Sequence, residues 1–491
     1  MADILPFDQT RTADGSQPAH RRKRRWPRIV LWCSVCLLAL GALGSCAGVL
    51  WLRSAAIAAL PVLDGDVHVA GLSAPVMVRR DAHGVPHIEA TTQDDLFVAQ
   101  GYVTAQDRLW QMDAYRRNAN GELAEIMGPS LVAHDRAQRV LEFRNSARRI
   151  YANLPAAERT RLDDYARGVN LFIEQHGDSL PAEFRLLHYR PQPWTGADSM
   201  SVGLMMVQTL DTHWPTKLSR EKIAAKLSNP NLEADLYPVG SWRDHPPTGE
   251  DVDLTKPQAN PPPAKSGDDD DDDEPSTASA TSGGVDPRAL LAMMGLPDCE
   301  GCAAGSNNWV VAGSHTASGK PLLSNDMHLN LTVPNIWFMA DMEAPGFHAA
   351  GVTLPGMPFV IAGHNEHVAW GFTALMGDAQ DLYIEKHDGK GNYQDVDGSW
   401  KPLAQDREII KVRGGKDVLL DVQSTAHGPL LNPLLPKEKR PIALKWTLYD
   451  PALDSLPLYQ IDTAANWTDF SAAIEAWSWP TQNVVYADDH G

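Results

Sequence analysis

Apolar and polar positions divide this chain into four stretches of different character. The first is an apolar run over residues 29–52, 24 positions without a charge, directly after six basic residues within 21–28. A run of that length is sufficient to span a bilayer. From about residue 62 to 240 the pattern is mixed. Residues 76–80 alternate as a strand does, and His83-Gly84-Val85-Pro86 reads as a turn. Residues 94–117 then carry Phe97, Val98, Tyr102, Leu109 and Met112 at roughly helical spacing, and further helices are predicted over 156–175, 197–209 and 218–227. Between about 241 and 305 the periodicity disappears. Pro261-Pro262-Pro263, the aspartates 268–273 followed by Glu274, and a Ser/Thr/Gly-rich stretch cannot bury a core. From Ser306 onward short apolar segments alternate with Gly, Pro and Asn turns, at 309–312, 321–324, 336–343, 348–353, 359–363 and 368–373. This predicts a mainly antiparallel β region. Residues 484–491 read as a strand entering a turn with no return strand, as expected of a chain truncated at its carboxyl end.

Composition narrows the partners. The net charge of −19 argues against nucleic acid, although part of it sits in the single aspartate run. Hydrophobic residues at 43% suit a globular protein. The fifteen Trp, several of them after Ser306, favour apolar pockets. The five cysteines, Cys33, Cys36, Cys46, Cys299 and Cys302, all avoid the two globular segments, so no disulfide framework is expected. Cys299-Glu300-Gly301-Cys302 lacks the second pair that a structural zinc site needs, and a local disulfide in a disposable segment is the better reading. The basic flank before 29–52 places the remainder of the chain outside the cytoplasm. An uncleaved signal anchor is the first reading of the run. A cleaved signal peptide, whose apolar region is usually shorter, is the second. Leu43-Gly44-Ser45-Cys46, which resembles a lipoprotein cleavage box, supplies the third.

The boundary between the acidic spacer and the β region falls at Gly305-Ser306-Asn307-Asn308-Trp309. A serine at such a boundary can become a new amino terminus, and a free α-amine beside its own hydroxyl is a self-contained nucleophile and base. Gly305 before it permits a strained turn at little steric cost. Three longer blocks give this stretch its context. One is Arg80-Asp81-Ala82-His83-Gly84-Val85-Pro86-His87-Ile88 with Gly101 through Met112. A second is Gly305 through Val311 with Ser324-Asn325-Asp326-Met327-His328-Leu329. The third is Gly363-His364-Asn365 through Trp370-Gly371-Phe372-Thr373-Ala374, closing on Asp378 and Asp381. In these blocks, over about 62–240 and 306–491, the chain resembles the penicillin acylase (penicillin amidase) family of N-terminal-nucleophile hydrolases.

The resemblance implies an α+β fold of four layers, αββα, with two antiparallel sheets between helices. It implies a precursor that cuts itself between Gly305 and Ser306. The order would be a basic cytoplasmic tail (1–28), a transmembrane signal anchor (29–52), an α-chain region (62–240), a spacer removed on processing (241–305) and the start of a β chain (306–491). The α and β chains would remain partners. The activity implied is hydrolysis of an N-acylated amine such as a penicillin, a cephalosporin or an N-acyl homoserine lactone, in the periplasm of a bacterium and tethered to its inner membrane. Ser306 matches the nucleophile and α-amine base, Ala374 the backbone oxyanion donor, and His328 a group that orients the nucleophile. A second oxyanion donor, an Asn side chain, falls beyond residue 491 in the family. No cofactor enters the chemistry. A structural calcium is implied at Asp378, the Gln380 carbonyl and Asp381, with Glu221 the nearest substitute for an α-chain ligand that falls near Lys217. Residues 204–213, with Met205, Met206, Leu210 and also Trp214, fall where relatives line the acyl pocket. A catalytically dead, membrane-anchored binding protein of the same fold is the alternative.

Overall fold

The computed structural model describes residues 26–177, 179–227, 286–294, 305–329 and 332–490. The aspartate run, Cys299, Cys302 and most of the basic tail and spacer lie outside these. The chain forms two compact units, residues 1–58 and 59–491. Among the described residues the first contains one helix, α1 (Trp26–Ala58), and an 18-residue stretch within Val30–Ala58 has a mean hydropathy of 2.2. At 33 residues it is about 50 Å long, enough by length and composition to cross a bilayer.

The second unit mixes helices and sheet. Strands β1 (Met77–Arg80) and β2 (Pro86–Glu89) precede the helices α2 (Gln93–Asn120), α3 (Ala124–Met127), α4 (Val132–Val140), α5 (Phe143–Asn153), α6 (Ala156–Gln175), α7 (Ala182–Leu186), α8 (Gly196–Asp211) and α9 (Trp214–Lys226). Then come β3 (Gly305–Val311), β4 (Leu322–His328), β5 (Phe338–Ala344), β6 (Phe347–Thr353), β7 (Ala362–His364), β8 (Val368–Ala374) and β9 (Gln380–Ile384). Strands β10 (Asn392–Gln394), β11 (Trp400–Pro402), β12 (Ala404–Ile410), β13 (Val418–Ser424), β14 (Ile442–Trp446) and β15 (Gln482–Asp488) complete the set.

Seven strands form the principal sheet, in the order β1-β2-β5-β6-β7-β8-β15. All its pairs are antiparallel except β2 with β5. The strand expected at the carboxyl end is β15, paired along its length with β8. In β5 the two-residue period is plain: Phe338, Ala340, Met342 and Ala344 are buried, while Met339 and Glu343 face outward. The buried face carries the helices, with α2 packed on β2 and β5 and in turn on α6 and α8.

Local chemistry sets the helix ends. The Thr92 hydroxyl accepts from the Asp95 N–H at the start of α2, and Gly121 in the left-handed region (φ 64°) ends it. A reciprocal Thr195/Asp198 capping box starts α8. Helix α9 begins four residues before its predicted start, because Pro215 in the first turn costs no hydrogen bond there. Helix α2 is buried on nearly every side, so its charges are paired: Asp113 bonds both Arg116 and Arg117 and accepts from the Tyr189 hydroxyl. Two glycines let α2 and α6 touch backbone to backbone. A Cβ on Gly101 would lie 2.1 Å from the Tyr165 carbonyl oxygen, and one on Gly168 would lie 1.9 Å from that of Val98.

Candidate active site

Ser306 is the second residue of β3 and pairs with Met327 of β4. The preceding Gly305 is extended and pairs with His328, so the turn expected at Gly305 is instead the start of a strand. The β3–β4 hairpin packs on β8 and β15, and one side chain seats it. The Asn325 carboxamide oxygen accepts from the Phe372 N–H at 2.9 Å, and its Nδ2 donates to the Phe372 carbonyl at 2.9 Å. The amide thus takes the part of a neighbouring strand's backbone. Space for it comes from Gly371, where a Cβ would stand 2.8 Å from the Asn325 Cβ. Sequence reading missed this role. The strand predicted at 321–324 stops short of Asn325, so no local signal announced it.

A cavity of about 110 Å³ opens beside Ser306. Helix α8 supplies Met206 and Leu210 to its wall, the hairpin supplies Ser306 and Met327, and Trp337 and Trp477 are among the aromatic walls. The polar side chains lining it are those of Ser306, Ser455, Ser478 and Gln482, and none of the lining residues is charged. Of the helix positions expected to line a pocket, Met206 and Leu210 do so, together with Gly203 and Val207; Leu204 and Met205 are buried in the core instead.

Ala374, the last residue of β8, lines the same cavity and pairs with Gln482. The segment after it is held by Thr481. The Thr481 carbonyl accepts from the Leu375 N–H at 3.1 Å, and its hydroxyl accepts from the Gly377 N–H at 3.1 Å. Thr481 in turn donates its own N–H (3.2 Å) and hydroxyl (3.1 Å) to the buried carboxylate of Asp211, at the end of α8. Burial pushes the Asp211 pKa up, and the two bonds from Thr481 pull against it. Asp211 and Thr481 are 270 residues apart, so no local pattern announces the pair.

His328 ends β4 one position beyond Met327, on the opposite side of the strand from the cavity. Its exposed imidazole pairs with Asp326 at 2.8 Å, and its Nδ1 would lie 3.5 Å from a Cβ on Gly305. The structure thus brings Ser306 and Ala374 together and sets His328 beside the residue that precedes Ser306. The side-chain carboxylates of the expected calcium set bond to cations of the chain. The Lys217 ammonium lies 2.6 Å from an Asp378 oxygen and 2.8 Å from Asp381. The Gln380 side-chain oxygen accepts from the N–H groups of His213 (2.7 Å) and Trp214 (2.9 Å). Glu221 is turned to Arg440, with bonds of 2.5 and 2.9 Å.

Known proteins are similar to this chain. The family model described as penicillin amidase matches residues 75–491. The acyl-homoserine lactone acylase QuiP of Pseudomonas aeruginosa is 33% identical over 454 residues, covering 89% of this chain and 51% of that protein. The penicillin acylase 2 proenzyme of Pseudomonas sp. strain SE83 is 34% identical over 77% of this chain and 46% of its own length. Penicillin G acylase of Escherichia coli is 26% identical over 73% of this chain and 46% of its own length. The chain spans about half the length of these relatives.

Proposed function

This chain belongs to the penicillin amidase family, and from that premise we propose that it is the Ser306-bearing part of a self-processing amide hydrolase. One observation carries the assignment to residues: Ser306 and Ala374 line a single apolar cavity. Cleavage between Gly305 and Ser306 frees the Ser306 α-amine. The Ser306 hydroxyl oxygen attacks the substrate's amide carbonyl while the α-amine takes its proton, directly or through one water. An unperturbed α-amine titrates at about 7.7–8.0, near working pH. The Ala374 N–H donates to the oxyanion that forms. Collapse of that intermediate expels the amine, which receives the proton. Water then attacks the acyl ester and restores the Ser306 hydroxyl. His328 supports the backbone around the scissile bond.

In this reading the helices, the seven-stranded sheet and the β3–β4 hairpin belong to an αββα sandwich. The basic residues before α1 keep its amino end in the cytoplasm and the hydrolase in the periplasm, at the inner membrane.

The cavity also limits the acyl group. An apolar cavity of about 150 Å³ takes a benzene molecule. The wall here suits an aromatic ring or an aliphatic chain. A terminal carboxylate would be buried there without a cation to pair with, which costs several kcal/mol. With purified mature protein, kcat/KM for phenylacetyl and fatty-acyl amides is expected to exceed that for glutaryl amides by at least about 100-fold, equivalent to ~2.7 kcal/mol. Equal rates on the two classes would remove the cavity from the reaction.

The Asp211–Thr481 link yields a second expectation. Thr481→Val removes the hydroxyl that holds Gly377 and should loosen the Ala374 donor. Turnover is expected to fall roughly tenfold, about 1.4 kcal/mol, with KM nearly unchanged. A change in KM alone would mean that Thr481 shapes the pocket and not the donor.

A further inference from the structure

The residues matching the family's calcium ligands pose a problem of charge. Calcium takes six to eight oxygen ligands at about 2.3–2.6 Å. A charged lysine has three donors and no lone pair to give. Yet the Lys217 Nζ lies 2.6 and 2.9 Å from the two oxygens of Asp378 and 2.8 Å from Asp381. The oxygens that a metal would need are already satisfied by an ammonium, and a divalent ion among them would sit against its positive charge. The other expected side-chain ligand is also spent: Glu221 makes two bonds to Arg440. The Gln380 side-chain oxygen caps the start of α9 through His213 and Trp214.

Three short contacts, two to Asp378 and one to Asp381, hold the Lys217 ammonium between the carboxylates. It is also well placed mechanically. Lys217 lies in the first turn of α9, and Asp378 and Asp381 flank the start of β9. The Gln380 cap joins the same two elements. Asp211, at the end of α8, ties this corner to Thr481 and so to the segment after Ala374.

We propose that Lys217 is an internal substitute for the metal: its ammonium clamps α9 to the segment 378–381 and makes this corner refuse calcium. The inference takes from the family reading only where a metal would sit.

The test uses the full chain and compares wild type with Lys217→Arg, Lys217→Met and Lys217→Glu. Calcium chloride is titrated calorimetrically into each protein, and thermal unfolding is followed in calcium chloride and in a chelator. Wild type and Lys217→Arg should show no saturable calcium heat and the same Tm in both buffers. Lys217→Met should melt a few degrees lower, because two carboxylates lose their shared cation. Lys217→Glu should melt lower still in the chelator and recover on adding calcium. Saturable binding by wild type that Asp378→Asn abolishes would overturn the proposal. So would a Lys217→Met protein that melts like wild type, or a Lys217→Glu protein that calcium does not restore. If Lys217→Met or Lys217→Glu fails to fold, the wild-type and Lys217→Arg titrations still decide. No readout depends on hydrolysis, so an error in the proposed activity leaves the test intact.

Discussion

Ser306→Ala is expected to leave the protein as one uncut chain without measurable hydrolysis. The same atom serves both reactions in the proposed scheme. Its hydroxyl oxygen attacks the carbonyl of Gly305 in the precursor and the substrate carbonyl in the mature protein. Removing a nucleophile that acts with its base as a unit costs on the order of 10⁶ in turnover. Alanine keeps the strand geometry of β3, and the pairing of residue 306 with Met327 uses backbone alone. The variant should therefore fold with an unchanged circular dichroism spectrum. Denaturing gels should show a single band where wild type gives two, and amino-terminal sequencing of the wild-type fragment should begin Ser-Asn-Asn-Trp. A variant that is cut at the same bond would relieve Ser306 of the processing role.

The largest effect on stability is expected at Gly168. Alanine usually stabilises an open helix position relative to glycine, by about 1 kcal/mol. Here the sign should reverse. A Cβ at 168 would stand 1.9 Å from the Val98 carbonyl oxygen and 2.8 Å from the Tyr102 nitrogen, and both are backbone atoms of a buried helix. No rotamer change relieves such a contact, so α2 and α6 must move apart. Overpacking a core typically costs 1–3 kcal/mol, and a backbone collision belongs at or above the top of that range. Gly168→Ala should lower the unfolding free energy, read from the denaturant midpoint, by more than about 3 kcal/mol, and Gly101→Ala should do nearly the same. Unchanged midpoints would mean that the helices do not cross at these glycines. Separation would also reach the cavity. Tyr165 lies on the same face of α6, and its hydroxyl accepts from the Gly356 N–H at 3.1 Å. Leu354 and Met357, on either side of that bond, line the cavity.

Local pattern made some of this legible. Helix α6 spans its predicted residues because its apolar period is clear, and β5, β6 and β8 fall within two residues of expectation. The β4 segment misled. Asn325 to His328 look like a turn because they are polar, yet they form strand, with Asn325 spending its polarity on the backbone of β8. Helix α2 gave only a rough period because it is buried nearly all round and hides paired charges inside. For the site, Ser306 and Ala374 were legible through long motifs. The Asp211–Thr481 link and the Lys217 clamp were not, since each joins residues more than 150 positions apart and only the fold brings them together.

The Asn325 seat has a consequence for how errors are handled. A strand shifted by one residue turns every side chain to the other face. In this hairpin such a slip would point Asn307 at the cavity and Ser306 away from it. It would also carry the Asn325 amide off Gly371, where alone it finds both groups of Phe372. The register is thus tested by one amide against one glycine before any bond is broken. Self-cleavage at Ser306 would then act as an inspection step: only a chain whose hairpin has seated correctly can cut itself, and a misassembled one stays intact and distinguishable by size.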